Sequence, residues 1–256
     1  MPAPVDVIVA VPARNEERRI GRSLCGVLLA AREAARAGQG QPAVRTRVVL
    51  GAHRCTDATA GTARLLLDAA PDVPSHVVLD DESESVGGVR AVAVAAGLAA
   101  GRHAGADPTR TWIFSTDADS CVPVDWITAT LRQASEAGSV AAVGLVSLDP
   151  WAADDAAHRA YARILAQGAG PGGHSHVYGA NLAVRLDAYL AVGGFEALPH
   201  GEDQALVGRL RQAGWPVLST LRPVVRTSAR MPGRAAHGLG DLLRTLADAP
   251  DPGAVA

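Results

Sequence analysis

Four times in the first half of the chain, a short run rich in β-branched residues gives way to a few turn residues and then to apolar residues spaced along one face of a helix. Val5-Asp-Val-Ile-Val-Ala-Val11 stops at Pro12, and Ile20, Leu24, Val27 and Leu28 follow with a helical period behind Asn15. Arg47-Val-Val-Leu50 precedes a helix expected from about Asp57, and His76-Val-Val-Leu79 one from about Gly88 to Ala100. Thr111-Trp-Ile-Phe-Ser-Thr116 precedes a fourth, near Asp125. Strands and helices alternating over short connections predict an α/β fold, a mostly parallel sheet with helices on both faces. Such sheets bind ligands at the carboxyl ends of their strands.

Beyond about Val140 the alternation weakens. Gly168-Ala-Gly-Pro-Gly-Gly-His174 is glycine-rich enough to predict a mobile loop. After it the pattern predicts a strand near Val177 to Val184, helices near Asp187 to Val192 and Glu202 to Ala213, and a strand around Pro216 to Leu221, with fraying from about Ala247. Neither a repeat nor a linker divides the 256 residues, so a single domain is expected.

Composition removes several function classes. Lys and Arg number 24 against 26 Asp and Glu, a formal charge of −2, and no basic block offers a local field for nucleic acid. Cys25, Cys55 and Cys121 lie far apart and form no Cys-x-x-Cys pair, which argues against a disulfide framework or structural zinc and for a cytoplasmic protein. The longest apolar stretch, around Ala91 to Ala100, is half of the roughly 20 residues a membrane span needs, and the start of the chain has no signal-like pattern. Peripheral membrane contact stays open.

Phe114-Ser-Thr-Asp117-Ala-Asp119 sets two carboxylates where an apolar strand ends. There they can share one site, holding a hard divalent cation and orienting a polar ligand, or they can form a solvated turn. Glu202 and Asp203 fall in a helix's first turn, where they either favour the helix dipole or supply a general base. Pro12-Ala-Arg14-Asn15-Glu16-Glu17 joins the first strand to the first helix, as a cap or as a wall around a ligand. Arg90 starts a helix and can meet a phosphate or solvent.

Taken with Cys55-Thr-Asp-Ala-Thr59, Gly179-Ala-Asn181, Val192-Gly-Gly-Phe195 and Gly201-Glu-Asp203, these motifs resemble, in order and spacing, a family 2 glycosyltransferase of the GT-A fold over about residues 5 to 220. The resemblance implies a Rossmann-like sheet with a nucleotide-binding half, about 1–120, and an acceptor-side half, about 121–256. It implies metal-dependent, inverting transfer of a single sugar from a nucleotide-diphosphate sugar to an acceptor hydroxyl. Pro12, Arg14, Glu16, Arg90, Asp117 and Ala118 would line the nucleotide-sugar pocket. Asp119 and Asp117 would hold Mg²⁺ or Mn²⁺, with His237 as a third ligand. Asp203 would be the catalytic base, and Glu202, Gly179, Ala180 and Asn181 would shape the acceptor side.

Ala52-His-Arg-Cys-Thr-Asp57 stands where many members carry Asp-Asp-Gly-Ser-Thr-Asp with an acid that reads uracil, so the donor base stays open among guanine, thymine and others. The Gln-x-x-Arg-Trp motif of processive synthases is absent after Asp203. Two other readings compete: a sugar-phosphate nucleotidyltransferase, whose glycine-rich basic first loop Pro12 to Glu17 does not supply, and a degenerate module that binds without turnover. His174 and His176 read better as solvated or ligand-contacting than as metal ligands. Arg226, Arg230 and Arg234 read as a loop facing a diphosphate or as solvated arginines, since Pro232 and Gly233 break any helix.

Overall fold

The computed structural model describes residues 4–36, 43–100, 107–170, 173–230 and 238–248. The expected alternation is present: β1 (Val5–Ala13), α1 (Ile20–Arg36), β2 (Val44–His53), α2 (Thr59–Asp68), β3 (Ser75–Asp80), α3 (Val86–Ala99), β4 (Thr111–Ser115) and α4 (Trp126–Glu136). There follow β5 (Ala141–Leu148), α5 (Asp155–Gln167), β6 (Ala169–Gly170), β7 (Gly173–His174), a 3₁₀ turn (Gly179–Asn181), β8 (Leu182–Arg185), α6 (Leu186–Ala191), α7 (Glu202–Gln212), β9 (Val217–Thr227) and α8 (Leu239–Asp248).

The main sheet has seven strands in the order β3-β2-β1-β4-β8-β5-β9. All pair in parallel except β8, which is antiparallel to both β4 and β5. The amino end of β8 therefore lies at the same edge as the carboxyl ends of the other strands. One apolar cluster packs α1, α2 and α4 on one face, and a second packs α3, α6 and α7 on the other. β1 and β4 lie between these layers, which is why they read as unbroken apolar runs rather than alternating ones.

Several elements differ from expectation for local reasons. β1 continues through Pro12 to Ala13. The Asp6 N–H points to the β4 side, and by alternation Pro12 faces the same side, past Ala10, the last residue of β1 paired with β4. The missing donor thus costs no ladder bond. Gly179–Asn181 forms a 3₁₀ turn instead of the start of a strand, because the Asn181 side chain is drawn inward. β9 runs on to Thr227, bending where its pairing with β5 shifts register between Gly144 and Val146. The described part of the glycine-rich segment forms the β6–β7 pair, with His174 buried and its Nε2 3.1 Å from the Thr220 carbonyl. Two helices were not anticipated, α5 and α8. The first has few large apolar residues, and the second carries Leu239, Leu242, Leu243 and Leu246 at helical spacing.

Candidate active site

The carboxyl edge of the sheet is fastened loop to loop. Asn15, at φ 52°, accepts from the Thr56 N–H at 2.7 Å, the Glu16 N–H donates to Thr59 Oγ1 at 2.6 Å, and the Glu17 N–H donates to Asp57 at 3.2 Å. Asp57 also takes the Thr59 N–H at 3.0 Å, so it opens α2 and ties the two loops together. This clamp leaves Pro12, Arg14 and Glu16 on the wall of a cleft, Arg14 exposed and Glu16 buried.

Across the cleft, the loop after β4 is pinned from both sides. The Ser23 hydroxyl donates to the Asp117 carbonyl at 3.1 Å, and the Cys121 N–H donates to the Arg226 carbonyl at 2.7 Å. Asp117, Ala118 and Asp119 consequently line the cleft together. Burial, then the negative charges of Asp117 and Glu16, push the Asp119 carboxyl from its ordinary 3.8 up to about 6, against the opposing pull of Arg230 and Arg19. Arg230 sits between acids, with Nη1 2.8 Å from Glu16 and Nη2 3.3 Å from Asp119.

Arg90 joins the two sides. α3 approaches β1 and β2 so closely that a methyl on Gly51 would lie 2.7 Å from Val89, and one on Gly97 2.7 Å from Ile8. That contact seats the first turn of α3 at the cleft floor. The Arg90 side chain is 3% exposed; its Nε donates to Ser115 at 3.0 Å, Nη2 to Asp117 at 2.5 Å, and Nη1 to Glu202. Burial disfavours its charge, but Asp117, Glu202 and Asp203 more than offset that and raise its pKa. Burial raises the Glu202 carboxyl, while Arg90 opposes the rise. Next to this pair, Asp203 accepts the Gly179 N–H at 2.6 Å and its own neighbour's N–H, from Gln204, at 2.7 Å. Each carboxylate oxygen is oriented by one donor and keeps lone pairs for a ligand.

Of the residues expected to form a site, Pro12, Arg14, Glu16, Arg90, Asp117, Ala118, Asp119, Gly179, Ala180, Glu202 and Asp203 share one cleft of about 970 Å³. Two of them, Arg90 and Glu202, line it as partners in a buried ion pair, with Arg90 also paired to Asp117. Asn181 does not line the cleft. Its amide donates to the Leu145 and Pro223 carbonyls at 2.8 and 3.0 Å and its oxygen accepts from Trp126 Nε1 at 2.9 Å, so it clamps β5, β9 and α4 instead of meeting an acceptor. His237 and Arg234 lie outside the described residues. His176 hydrogen-bonds the Leu165 carbonyl at 3.1 Å. Among the described residues, no group of three or more His, Cys, Asp or Glu side chains is placed to hold a metal ion unaided. The cleft also takes in residues that motif reading did not single out as a site: His53, Tyr161, Ile164 and Tyr178, with Leu239 and Leu242 from α8. Among the described residues, no helix is long and apolar enough to cross a membrane.

This architecture is the GT-A fold of glycosyltransferases. The chain is similar to a mannosyltransferase from Pyrobaculum calidifontis in complex with GDP-Man and Mn²⁺, at 19% identity and a TM-score of 0.65, over 91% of this chain and 59% of that one. GalNAc-T7 with UDP, GalNAc and Mn²⁺ matches at 14% identity and a TM-score of 0.62, over 91% and 45%. Residues 1–349 of TarS from S. aureus, in complex with UDP-GlcNAc, match at 13% and 0.60, over 96% and 68%. The chain thus spans 59% of the mannosyltransferase's length and less than half of GalNAc-T7's. No family model and no curated protein sequence matches it.

Proposed function

We propose that the chain is an inverting family 2 glycosyltransferase that moves one sugar from a nucleotide-diphosphate donor to an acceptor hydroxyl, built as one domain with a donor half and an acceptor half. The observation that carries this reading is the pairing of Asp117 and Asp119 with Asp203 in one cleft, coupled through Arg90.

The donor set suits a hard cation. Asp119 is held near pH 6 by burial and by the surplus negative charge of Asp117 and Glu16, and a guanidinium already bridges Asp119 and Glu16. One or two carboxylates completed by phosphate oxygens is the ordinary way to hold Mg²⁺. Asp119 and Asp117 would hold Mg²⁺ or Mn²⁺, which supplies charge neutralisation of the diphosphate leaving group; the mannosyltransferase and GalNAc-T7 neighbours each contain Mn²⁺.

The protein's own groups do the rest. Arg90 fixes Asp117 on the donor side and Glu202 at the start of α7, so the spacing between the donor carboxylates and Asp203 is set by a buried ion pair. Gly179 and Gln204 aim the Asp203 carboxylate. Asp203 takes the acceptor proton as the hydroxyl oxygen attacks the anomeric carbon in line, the bond from that carbon to the diphosphate oxygen breaks, and the configuration inverts.

Thermal-shift titration with GDP, UDP, dTDP and CDP, each with and without Mn²⁺, tests the donor side: one diphosphate should stabilise the protein in a metal-dependent manner. Asp203→Asn should lower kcat about 10²- to 10⁴-fold while that stabilisation persists. Equal loss of both would remove Asp203 from the base position.

A further inference from the structure

Part of the cleft wall is apolar and comes from elements outside the sheet's own layers. α5 and α8 pack together in an apolar cluster of their own around Trp151, Ala157, Tyr161 and Leu243, apart from the two clusters that cover the sheet. Tyr161 and Ile164 of α5 and Leu239 and Leu242 of α8 line the cleft, and Val146 and Tyr178 extend the wall. Leu239 and Leu242 are only half-buried. This wall adjoins the proposed base directly, because Tyr178 precedes Gly179, whose N–H holds Asp203. The His176 ring lies nearly parallel to Tyr178 with centroids 5.9 Å apart. Tyr161 is 9% exposed, and its hydroxyl is buried without a well-formed hydrogen bond, its interaction with Tyr178 notwithstanding. A buried polar atom of that kind calls for a partner. At about 970 Å³ the cleft stands at the top of the roughly 300–1,000 Å³ range of small-molecule pockets.

Resting on the transferase reading above, we infer that the acceptor is an alcohol or phenol carried on a hydrocarbon skeleton, whose apolar body lies against Tyr161, Ile164, Tyr178, Leu239 and Leu242 while its hydroxyl reaches Asp203. The hydroxyls of Tyr161 and Tyr178, which interact with each other, are the polar groups among these five side chains. A sugar hydroxyl pressed against Ile164, Leu239 or Leu242 would meet only aliphatic carbon, a loss of order 1–3 kcal/mol for each buried group left unpaired. A hydrocarbon in the same place gains from every methylene it buries. The transfer itself is unchanged: the acceptor oxygen bonds to the anomeric carbon, the diphosphate departs, and the proton passes to Asp203.

Methyl, octyl and phenyl β-D-glucosides share one sugar and differ only in hydrocarbon, so they isolate this wall. In saturation-transfer NMR titrations of the protein with each, octyl below its micellar concentration, octyl or phenyl glucoside should bind at least about tenfold more tightly than the methyl compound. Tighter octyl binding identifies an extended chain, and tighter phenyl binding a ring. Leu242→Asp should erase the gain, and Leu242→Met should keep it. Equal affinity for all three, or a gain that survives Leu242→Asp, overturns the inference. The nucleotide thermal shift, run on the same samples, separates the two levels: a normal nucleotide response without hydrocarbon preference overturns the acceptor inference alone, and no response to any nucleotide overturns the transferase reading beneath it.

Discussion

Replacing Asp119 by Asn should make the ligand-free protein more stable at neutral pH. The Asp119 side chain is largely buried, at 17% exposure, and shares its surroundings with Asp117 and Glu16. Its carboxyl rises from the ordinary 3.8 to about 6. At 1.36 kcal/mol per pH unit, this corresponds to about 3 kcal/mol. The sign is opposite to that of a salt-bridged acid. Below about pH 4 the group is protonated in both folded and unfolded chains and costs nothing. Between about pH 4 and 6 the unfolded chain releases the proton freely and the folded one does not, so stability falls as pH rises, and the full cost is present above about pH 6. Urea unfolding of the wild type and Asp119→Asn at intervals from pH 4 to 8 should therefore show nearly equal stability at the acid end. The variant should be ahead by up to about 3 kcal/mol at the alkaline end. Adding Mn²⁺ with the cognate nucleotide diphosphate should reverse the order, because only the wild type gains from it. A variant less stable than the wild type at pH 8, or a difference that does not change with pH, would refute the assignment of stored charge to this position.

Four further substitutions separate positioning from packing. Arg90→Met leaves Glu202 buried without its counter-charge and should cost about 3–5 kcal/mol in urea unfolding; adding Glu202→Gln should recover part of that loss, whereas simple additivity would deny the coupling. Gly179→Ala places a methyl 2.5 Å from Arg90 Nη2 while keeping the N–H that orients Asp203, so kcat should fall by tenfold or more with little change in the nucleotide thermal shift. Asn181→Leu strips hydrogen bonds from two carbonyls and from Trp126 and should cost about 3 kcal/mol or more in unfolding experiments, with the donor KM unaltered because Asn181 stands outside the cleft.

The half of the fold around β1 to β4 was legible because burial on both faces forces uninterrupted β-branched runs, and a run such as Val7 to Val11 has few alternatives. The acceptor half was less so. In α5, Ala157 and Tyr161 are the buried residues, too few to mark a face in an alanine-rich stretch. The leucines of α8 did carry a helical period, but nothing local says what they cover; their partner is α5, some 80 residues earlier in the chain. Asn181 shows the same limit at a single residue: its motif matched an acceptor contact, while its function in the fold depends on carbonyls from Leu145 and Pro223 that no local pattern brings near. Asp119 and Asp203 were recoverable because a strand end and a helix start fix them locally. Their electrostatic setting was not, since Arg230 reaches Glu16 across 214 residues.

The charge inventory of the cleft explains why two of its arginines, Arg90 and Arg230, differ in exposure and why the proposed donor would not bind alone. Glu16, Glu84, Asp117, Asp119, Glu202 and Asp203 face Arg14, Arg90, Arg211 and Arg230 on its walls. Arg90, at 3% exposure, is committed to Asp117 and Glu202 and acts as part of the scaffold. Arg230, at 21%, is held at the surface of the same acidic cluster by Glu16 and Asp119. A diphosphate entering that surplus of carboxylate meets repulsion that these guanidiniums do not cancel. On the proposed reading, a divalent cation arriving with it would remove the repulsion and relieve the charge crowding that raises the Asp119 carboxyl to about 6. The elevated Asp119 and the proposed metal dependence would then be one property of the site: the carboxylate is costly in the empty protein for the same reason that it would favour a nucleotide-bound cation in the loaded one.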